Sequence, residues 1–211
     1  MVLITEELTG LSQRTTSVWL ENERGEWRVR ALVFGPTAIA GKNSEQFWRA
    51  ARAQRARGNI FNASMLYAAA RSALLSSDFF QPRIAQDFHA DLRTFEAHEL
   101  VRGEAPFQWT FDGQTYRVQQ ANYMGFGNGD VAFVIDHTAP WANHAEADAI
   151  NRRLIDAFSE RNPEWREVFD AVIARAHRPN STETWGTVYE RKGYTRAPPG
   201  APGAETGGSD P

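Results

Sequence analysis

Hydrophobic side chains recur along the chain at two periods, and the changes of period outline its elements. Residues 16–36, "TSVWLENERGEWRVRALVFGP", alternate apolar and polar positions on both sides of Arg24-Gly25. Alternation at period two around a glycine turn predicts a β-hairpin, which ends at Gly35-Pro36. The apolar positions at this period are Val18, Leu20, Trp27, Val29, Ala31 and Val33.

Helical spacing replaces the alternation after residue 42. Residues 43–58 begin with Asn43 or Ser44 as a helix cap and end at Gly58, and the alanine-rich residues 60–77 follow. Two helices joined at a glycine predict an αα-hairpin. A third helix is predicted over residues 82–100, because three- and four-residue spacing places four apolar side chains on one face. They are Ile84, Phe88, Leu92 and Phe95.

The predicted αα-hairpin resembles a single tetratricopeptide-type repeat over about residues 44–77. Aromatic and small residues at the positions of that repeat carry the resemblance: Phe47, Ala51, Gly58, Ala63, Tyr67 and Ala70. The chain departs from the pattern at Leu75, where proline is usual, and at Ala50, where leucine is usual. A lone repeat cannot bury its own faces, so the resemblance implies that the hairpin packs on the rest of the chain or on a partner.

Three glycines stand at alternate positions in "NYMGFGNGDVAFVIDH", residues 122–137. A dinucleotide-binding loop needs a helix after its glycines, whereas the pattern here continues as a strand. Asn128-Gly129 and Asp112-Gly113 instead predict two-residue hairpin turns, and together an antiparallel three-stranded meander over about residues 106–136. Its predicted core-facing side chains are Phe107, Trp109, Tyr116, Val118, Met124, Val131, Phe133 and Ile135.

The same register places Gln120 and Asn122 on the apolar side of the middle strand. Buried amides need hydrogen-bond partners, so this placement has two explanations. One is a β-bulge that reverses the alternation. The other is a polar spot inside a concave apolar pocket, as in many ligand sites.

The last third predicts an amphipathic helix over residues 143–161 and a final hairpin around Pro179-Asn180-Ser181. The buried stripe of the helix is predicted to be Ala147, Ile150, Leu154, Ala157 and Phe158. The chain as a whole is predicted to be an α+β protein. Its predicted parts are an N-terminal β-hairpin segment (1–42), a helical section with one αα-hairpin (43–100), an antiparallel β-β-β-α-β-β sheet region (104–194) and a disordered tail rich in proline and glycine (195–211).

Composition narrows the function classes. The 211 residues contain no cysteine, which excludes disulfides, thiolate catalysis and cysteine-ligated zinc. A net charge of −3 predicts no general attraction to nucleic acid, and no apolar stretch is long enough to span a bilayer. The compartment stays open: we expect the cytoplasm if the N-terminus is native and the periplasm if a leader has been removed. Cysteine-free chains occur on either side of a bacterial inner membrane.

Candidate chemistry concentrates in "DHTAPWANHAEAD", residues 136–148, at a predicted strand-to-helix junction. Imidazole and carboxylate groups bind divalent metals, so His137 and His144 are the metal candidates, with Asp136 beside them. The spacing matches no H-E-x-x-H motif. Asn143 and Glu146 alternatively form a helix-capping box. No serine-nucleophile motif is present, so no catalytic residue is assigned and no cofactor is expected.

Two functional hypotheses follow. The first is a binding or interaction module without catalytic activity, in which Trp141 and Trp185 are exposed contacts and the αα-hairpin binds a protein partner or a second copy. The second is a small-molecule or metal-dependent enzyme at the 136–148 junction. The enzyme hypothesis predicts that Asp136, His137 and His144 converge near Gln120 or Asn122. The binding hypothesis predicts that these side chains are splayed into solvent and that an apolar patch larger than the few hundred Å² typical of monomers is exposed elsewhere.

Overall fold

The computed structural model describes most of the chain and confirms the α+β fold. The described residues are 2–7, 13–74, 83–126, 128–191 and 193–194. They divide into two compact units, a first unit within residues 1–102 and 123–131 and a second unit within residues 103–122 and 132–211. The tail predicted over residues 195–211 lies outside the described residues.

The first unit contains an antiparallel sheet with the strand order β1-β2-β3-β4. The strands are β1 Val2–Glu7, β2 Gln13–Glu23, β3 Glu26–Ile39 and β4 Lys42–Asn43. The predicted hairpin is confirmed as β2–β3. Its turn has positive φ at both Arg24 (57°) and Gly25 (92°), the conformation of a tight two-residue hairpin turn.

A β-bulge changes which side chains of β3 share a face. Leu20 pairs with Val29 and Trp19 pairs with Ala31, so Arg30 has no partner on β2. An extra residue reverses the alternation of the strand that carries it. Ala31 and Val33 therefore do not share a face with Trp27 and Val29, although uninterrupted period-two spacing had predicted this.

Three helices follow in the first unit, and the αα-hairpin is confirmed. They are α1 Ser44–Ala56, α2 Ile60–Ser72 and α3 Arg83–Arg93. The Asn43 side chain accepts from the Gln46 backbone N–H, and the Gln46 side chain accepts from Asn43 in return, which caps α1. Gly58 has φ 82°, which suits the residue that follows a helix.

Helix α3 is shorter than the predicted 82–100. Both the N–H and the hydroxyl of Thr94 donate to the Asp91 carbonyl, at 3.0 and 2.8 Å. This carbonyl is the acceptor that a continuing helix would offer to Phe95, so the helical ladder ends there. Phe95 consequently lies beyond the helix, although its ring still packs on Tyr67 with centroids 4.5 Å apart.

Asp91 joins the three helices through hydrogen bonds. Its Oδ2 accepts from Trp48 Nε1 of α1 and from the Tyr67 hydroxyl of α2, each at 2.7 Å. Its Oδ1 accepts from Arg55 Nη1 at 3.2 Å. Partial burial acts to raise the pKa of Asp91, but the hydrogen bonds from Trp48 and Tyr67 together with the charges of Arg52 and Arg55 lower that pKa. The ionised carboxylate therefore stabilises the packing of the helices.

Most residues of the second sheet belong to the second unit. Its strand order is β10-β9-β8-β7-β6-β5. Its strands are β5 Phe107–Phe111, β6 Gln114–Gly125, β7 Val131–Thr138, β8 Ala171–His177, β9 Thr184–Glu190 and β10 Gly193–Tyr194. Helix α4 His144–Arg161 and a 3-10 turn Pro163–Glu167 lie between β7 and β8.

The prediction of an antiparallel sheet is wrong at one strand pair. Strands β7 and β8 are parallel, with Ala132 opposite Ala171 and Thr138 opposite His177, so the sheet is mixed. The physical reason is the connection, because α4 carries the chain back along the sheet before β8 starts. A helical connection between two strands of one sheet is typical of parallel pairing.

The two turns of the meander have different outcomes. Asp112-Gly113 forms the predicted turn, and Trp109 pairs with Tyr116 as expected. At the second turn the Phe126 N–H donates to the Asp130 carbonyl, so Phe126 is paired with Asp130, whereas a two-residue turn at Asn128-Gly129 would pair it with Val131. The loop is longer by one residue, so Met124 no longer lies opposite Phe133. Met124 is accordingly exposed and not in the core.

Gly125 explains part of the glycine pattern. A Cβ at this position would lie 3.0 Å from both the backbone nitrogen and the Cβ of Ala40. Glycine is therefore needed because the backbones approach closely. The glycines are followed by strand β7 and not by a helix, as the turn prediction required.

The core of the second unit is an aromatic cluster between the sheet and α4. Trp109 lies 6.5 Å from Phe133 and 6.1 Å from Phe158, measured between ring centroids. Leu154 is also fully buried, whereas the predicted stripe residue Ala157 is only half-buried. This packing fixes α4 on one face of β7, and so decides which side chains of β7 meet the helix.

Candidate functional site

The predicted site residues of β7 point to opposite faces of the sheet. His137 faces α4, where its Nε2 lies 2.7 Å from Asn151 Oδ1. Asp136 faces the other way and accepts hydrogen bonds from Arg175 and His177 of β8. His144, at the start of α4, is exposed and stacks on Trp185 with ring centroids 4.3 Å apart. The structure therefore does not bring Asp136, His137 and His144 together.

Asn151 connects His137 to β9. Its Nδ2 donates to the Trp185 carbonyl at 2.9 Å and to Thr187 Oγ1 at 3.1 Å. Thr187 Oγ1 in turn donates to Asp148 Oδ1 at 2.7 Å. Both His137 and Asn151 have 0% exposure. The network therefore links β7, α4 and β9 through fully buried polar groups, which places His137 in the structural core.

The network assigns the tautomer of His137. The Asn151 amide nitrogen already donates, so its oxygen accepts and His137 carries its proton on Nε2. Burial lowers the pKa of His137, with the Asn151 hydrogen bond a smaller opposing effect. The ring is therefore neutral at pH 7, and its Nδ1 is buried without a partner among the described residues.

We expect the stability of the chain to fall as the pH drops below about 6.5, the ordinary pKa of histidine. The folded pKa of His137 is below that value, so between the two values the unfolded state binds more protons, and acid favours unfolding. Urea unfolding at pH 7 and pH 5.5 measures the effect. His137→Gln should reduce this pH dependence. Equal dependence in the wild type and His137→Gln would contradict the assignment.

The two tryptophans of the predicted contact surface are not both exposed. Trp141 is only 6% exposed, because Arg178 lies over its ring at 5.0 Å and His144 packs against it. Trp185 is half-buried. The prediction of Trp141 as an exposed contact is wrong, since position beside a loop does not show what the neighbouring strand's side chains cover.

Gln120 and Asn122 also depart from the predicted core face. Gln120 is exposed and Asn122 is half-buried, and Gln119 and Gln120 are exposed in succession. Alternation is therefore interrupted in this part of β6. The placement of Gln120 agrees with reversed alternation, the first of the two explanations given above.

Two acidic residues of the junction, Glu146 and Asp148, make contacts within and at the start of α4. The Asn143 side chain accepts from the Glu146 N–H at 3.0 Å, and the Glu146 carboxylate accepts from Ala142 at 2.8 Å. Asp148 pairs with Arg152, and hydrogen bonds from Arg152 and Thr187 lower its pKa although partial burial opposes them. Within the described ranges, no three histidine or acidic side chains are grouped as metal ligands.

The described residues outline two open cavities. One, of about 380 Å³, belongs to the second unit, and the other, of about 580 Å³, belongs to the first. Arg166 lines the first cavity and stacks on Trp165 at 4.7 Å. His89 and Arg93 line the second. The predicted site residues are not among the described residues that line either cavity.

The largest exposed apolar side chains of the first unit share one face of the β2–β3 hairpin. Trp27, Val29, Leu32 and Phe34 are 69, 62, 55 and 74% exposed. They lie opposite Asn22, Leu20, Val18 and Thr16, which alternate along β2 and so share one side of the sheet. We call these four exposed side chains, together with Leu20, the apolar β-face. The bulge at Arg30 brings Leu32 and Phe34 to the same face as Trp27 and Val29.

The opposite face of the hairpin has a different character. Near the turn it carries ion pairs of Arg28 with Glu23 and Glu26, and of Arg30 with Glu21. Farther along, Thr15 and Ser17 are buried, at 4 and 1% exposure. The hairpin is therefore amphipathic, with its apolar side exposed.

Sequence reasoning missed the apolar β-face for an identifiable reason. Period-two spacing places Trp27 and Val29 on one face, but it does not say whether that face is covered. The signal that could have been used is the alternating charge of Glu21, Glu23, Arg28 and Arg30. Cross-strand pairs of opposite charge can stabilise one face of a hairpin in contact with solvent, while the other face remains apolar.

Comparison of the chain with protein-family models, with characterised proteins and with solved structures finds no match. Among the described residues, no helix is long and apolar enough to cross a membrane. Function is therefore argued from the surfaces and side chains of the chain itself.

Proposed function

We propose that the chain is a non-catalytic interaction module that associates with a second copy of itself through the apolar β-face. The observation that carries the proposal is the exposure of Trp27, Val29, Leu32 and Phe34 on one side of one hairpin. An aromatic side chain carries about 150–250 Å², so Trp27 and Phe34 alone leave on the order of 300 Å² exposed. Patches of this size on monomers are often functional.

The area suits a dimer of modest affinity. With Val29 and Leu32 added, the exposed apolar area approaches roughly 500 Å², and two copies would remove about twice that from water, near the lower limit of specific interfaces. A two-fold arrangement uses the same patch on both copies, so one surface is sufficient. The patch contains no charged side chain, and the nearby Arg28 and Arg30 are paired with glutamates, so a second copy meets no charge repulsion.

Face-to-face packing fits this surface better than pairing of strand edges. Strand β3 pairs with β4 at Ala38 and Ile39, and no described residue pairs with the rest of its outer edge. However, the bulge at Arg30 interrupts that edge, and bulges and charged residues are features that oppose edge-to-edge pairing. Sheets that stack by their faces lie about 10 Å apart, with apolar side chains between them.

The αα-hairpin offers less apolar surface for association. Of its four aromatic side chains, Phe47, Phe61 and Tyr67 are 2, 0 and 2% exposed and Trp48 is half-buried. Helix α3 supplies Asp91 and Phe88 as contacts of Tyr67, and Phe47 packs on Tyr123. The resemblance to a single repeat implies that other parts of the protein or a partner cover the faces of the hairpin. Most of this contact is made within the first unit.

We expect Leu32→Ser combined with Phe34→Ser to weaken self-association by about 100-fold or more, because an aromatic anchor such as Phe34 contributes about 2 kcal/mol or more and both copies of a two-fold dimer lose it. Light scattering after size exclusion, over a range of protein concentrations, measures the effect. The wild type should change from monomer to dimer as concentration rises, and the variant should remain monomeric. Both side chains are exposed, so the melting temperature of the diluted monomer should stay close to that of the wild type.

The matched control lies on the other side of the same strand. Glu26→Ser combined with Arg28→Ser changes two exposed residues of β3 without touching the apolar β-face. It should associate as the wild type does. A wild type that stays monomeric at every concentration, or a control that weakens association as much as the apolar variant, would overturn the proposal.

A further inference from the structure

A second feature lies on the other unit, at the carboxyl ends of the parallel strands β7 and β8. The Asp136 side chain is 6% exposed, whereas those of Arg175 and His177 are each 39% exposed. Arg175 Nε and Nη2 donate to Asp136 Oδ1 and Oδ2 at 2.7 and 2.6 Å. His177 Nε2 lies 2.9 Å from Asp136 Oδ1. A buried carboxylate thus holds two basic side chains that remain open to solvent.

Arg175 retains unused donors. Its bidentate contact with Asp136 uses Nε and one N–H of Nη2, which leaves the outer N–H of Nη2 and both of Nη1. The outer N–H of Nη2 and one N–H of Nη1 form the end-on edge of the guanidinium, whose planar geometry matches the two oxygens of a carboxylate. Arg175 has no other partner among the described residues. The Nδ1 atom of His177 is likewise left free by its contact with Asp136.

The position of these groups favours ligand access. Arg175 lies opposite Gly186 of β9, and glycine has no side chain, so the position next to Arg175 on β9 is open. His177 lies opposite Thr184, which is exposed, and opposite Thr138 on its other side. In open α/β sheets, ligands bind just beyond the carboxyl ends of the parallel strands. Asp136 and His177 lie at these ends of β7 and β8.

We propose that Arg175 binds the carboxylate group of a small molecule at this edge, with His177 beside it as a second contact and Asp136 as the positioning residue. The charge of Asp136 offsets that of Arg175, so the cluster has little excess positive charge. Such a cluster suits a singly charged carboxylate better than a doubly charged phosphate. This site is separate from the apolar β-face and does not depend on self-association.

Acetate is the probe for this proposal. Titration of the full chain, followed by the NMR signals of the arginine Nε–H groups and the histidine rings, should shift Arg175 and His177 together and saturably. Arg175→Lys should weaken acetate binding about tenfold, because lysine keeps the charge but loses the planar pair of donors. Arg178→Lys is the matched control, since Arg178 is 38% exposed and also ion-paired, with Glu183. It should bind acetate as the wild type does.

If Arg175→Lys does not fold, a second variant tests the same proposal. Asp136→Asn combined with Arg175→Gln removes both charges of the pair together, and should abolish the acetate shift of His177 while the melting transition persists. The proposal is overturned if acetate causes no saturable shift in the wild type or if Arg178→Lys loses as much affinity as Arg175→Lys. Tighter binding of inorganic phosphate than of acetate would also overturn it.

Discussion

Asn151→Ala should destabilise the second unit by roughly 4 kcal/mol, because it removes three hydrogen bonds at a fully buried position. The His137 N–H, the Trp185 carbonyl and the Thr187 hydroxyl all lose Asn151 as a partner. Each buried polar group left unsatisfied costs about 1–3 kcal/mol, and the cavity adds to that cost. Urea unfolding followed by circular dichroism measures the loss.

Glu160→Ala is the matched control for Asn151→Ala. Glu160 lies on the same helix but is exposed, and its replacement should change the free energy of unfolding by less than about 0.5 kcal/mol. Amide hydrogen exchange would localise the effect, since protection should fall in α4 and β9 before it falls in α1. A loss below about 1 kcal/mol for Asn151→Ala would contradict the role given to the network.

Asp91→Ala should destabilise the helices of the first unit by roughly 4 kcal/mol. The substitution leaves the Trp48 indole N–H, the Tyr67 hydroxyl and the Arg55 guanidinium without their shared acceptor. The loss of a partner for part-buried donors, one of them charged, costs about 1–3 kcal/mol for each. Urea unfolding at pH 7 is the measurement, and Asp87→Ala is the control, because Asp87 is an exposed residue of the same helix.

The contribution of Asp91 also has a definite pH dependence. Its folded pKa is lowered, so the stabilisation is present above the unfolded pKa of about 3.9 and is lost as the pH falls through the lower folded value. The difference in stability between wild type and Asp91→Ala should therefore shrink at acidic pH. A difference that is constant from neutral pH to strong acid would show that the carboxylate charge is not what joins the helices.

The sequence patterns predicted local elements well where a turn or cap has a specific chemistry. The turns at Arg24-Gly25 and Asp112-Gly113 follow from positive φ, and the α1–α2 hairpin follows from Asn43 and Gly58. The register at the second turn was wrong, because the loop is one residue longer than expected, so Met124 is exposed although Phe133 lies in the core as predicted. The parallel pairing of β7 and β8 depends on the path of a helix, which local periodicity does not contain.

In the candidate site, too, the sequence predicts local features but not the contacts between residues that are distant along the chain. Asp136 and His137 are adjacent in sequence, which suggested one site, but adjacent residues of a strand point to opposite faces. The partners that define their roles are distant in sequence: Asn151 for His137, and Arg175 and His177 for Asp136. The apolar β-face depends on the bulge at Arg30, because that bulge alone brings four large apolar side chains to one side. Neither arrangement has a local signature.

The most direct test of self-association is hydroxyl-radical footprinting of the wild type at low and high protein concentration, with mass spectrometry as the readout. The account predicts that oxidation of Trp27 and Phe34 slows as concentration rises, because a second copy covers them. Oxidation of Trp185, a half-buried side chain of the second unit, should not change. Oxidation of Trp27 and Phe34 at the same rate at both concentrations, in a sample that scattering shows to be dimeric, would contradict the assignment of the apolar β-face as the interface.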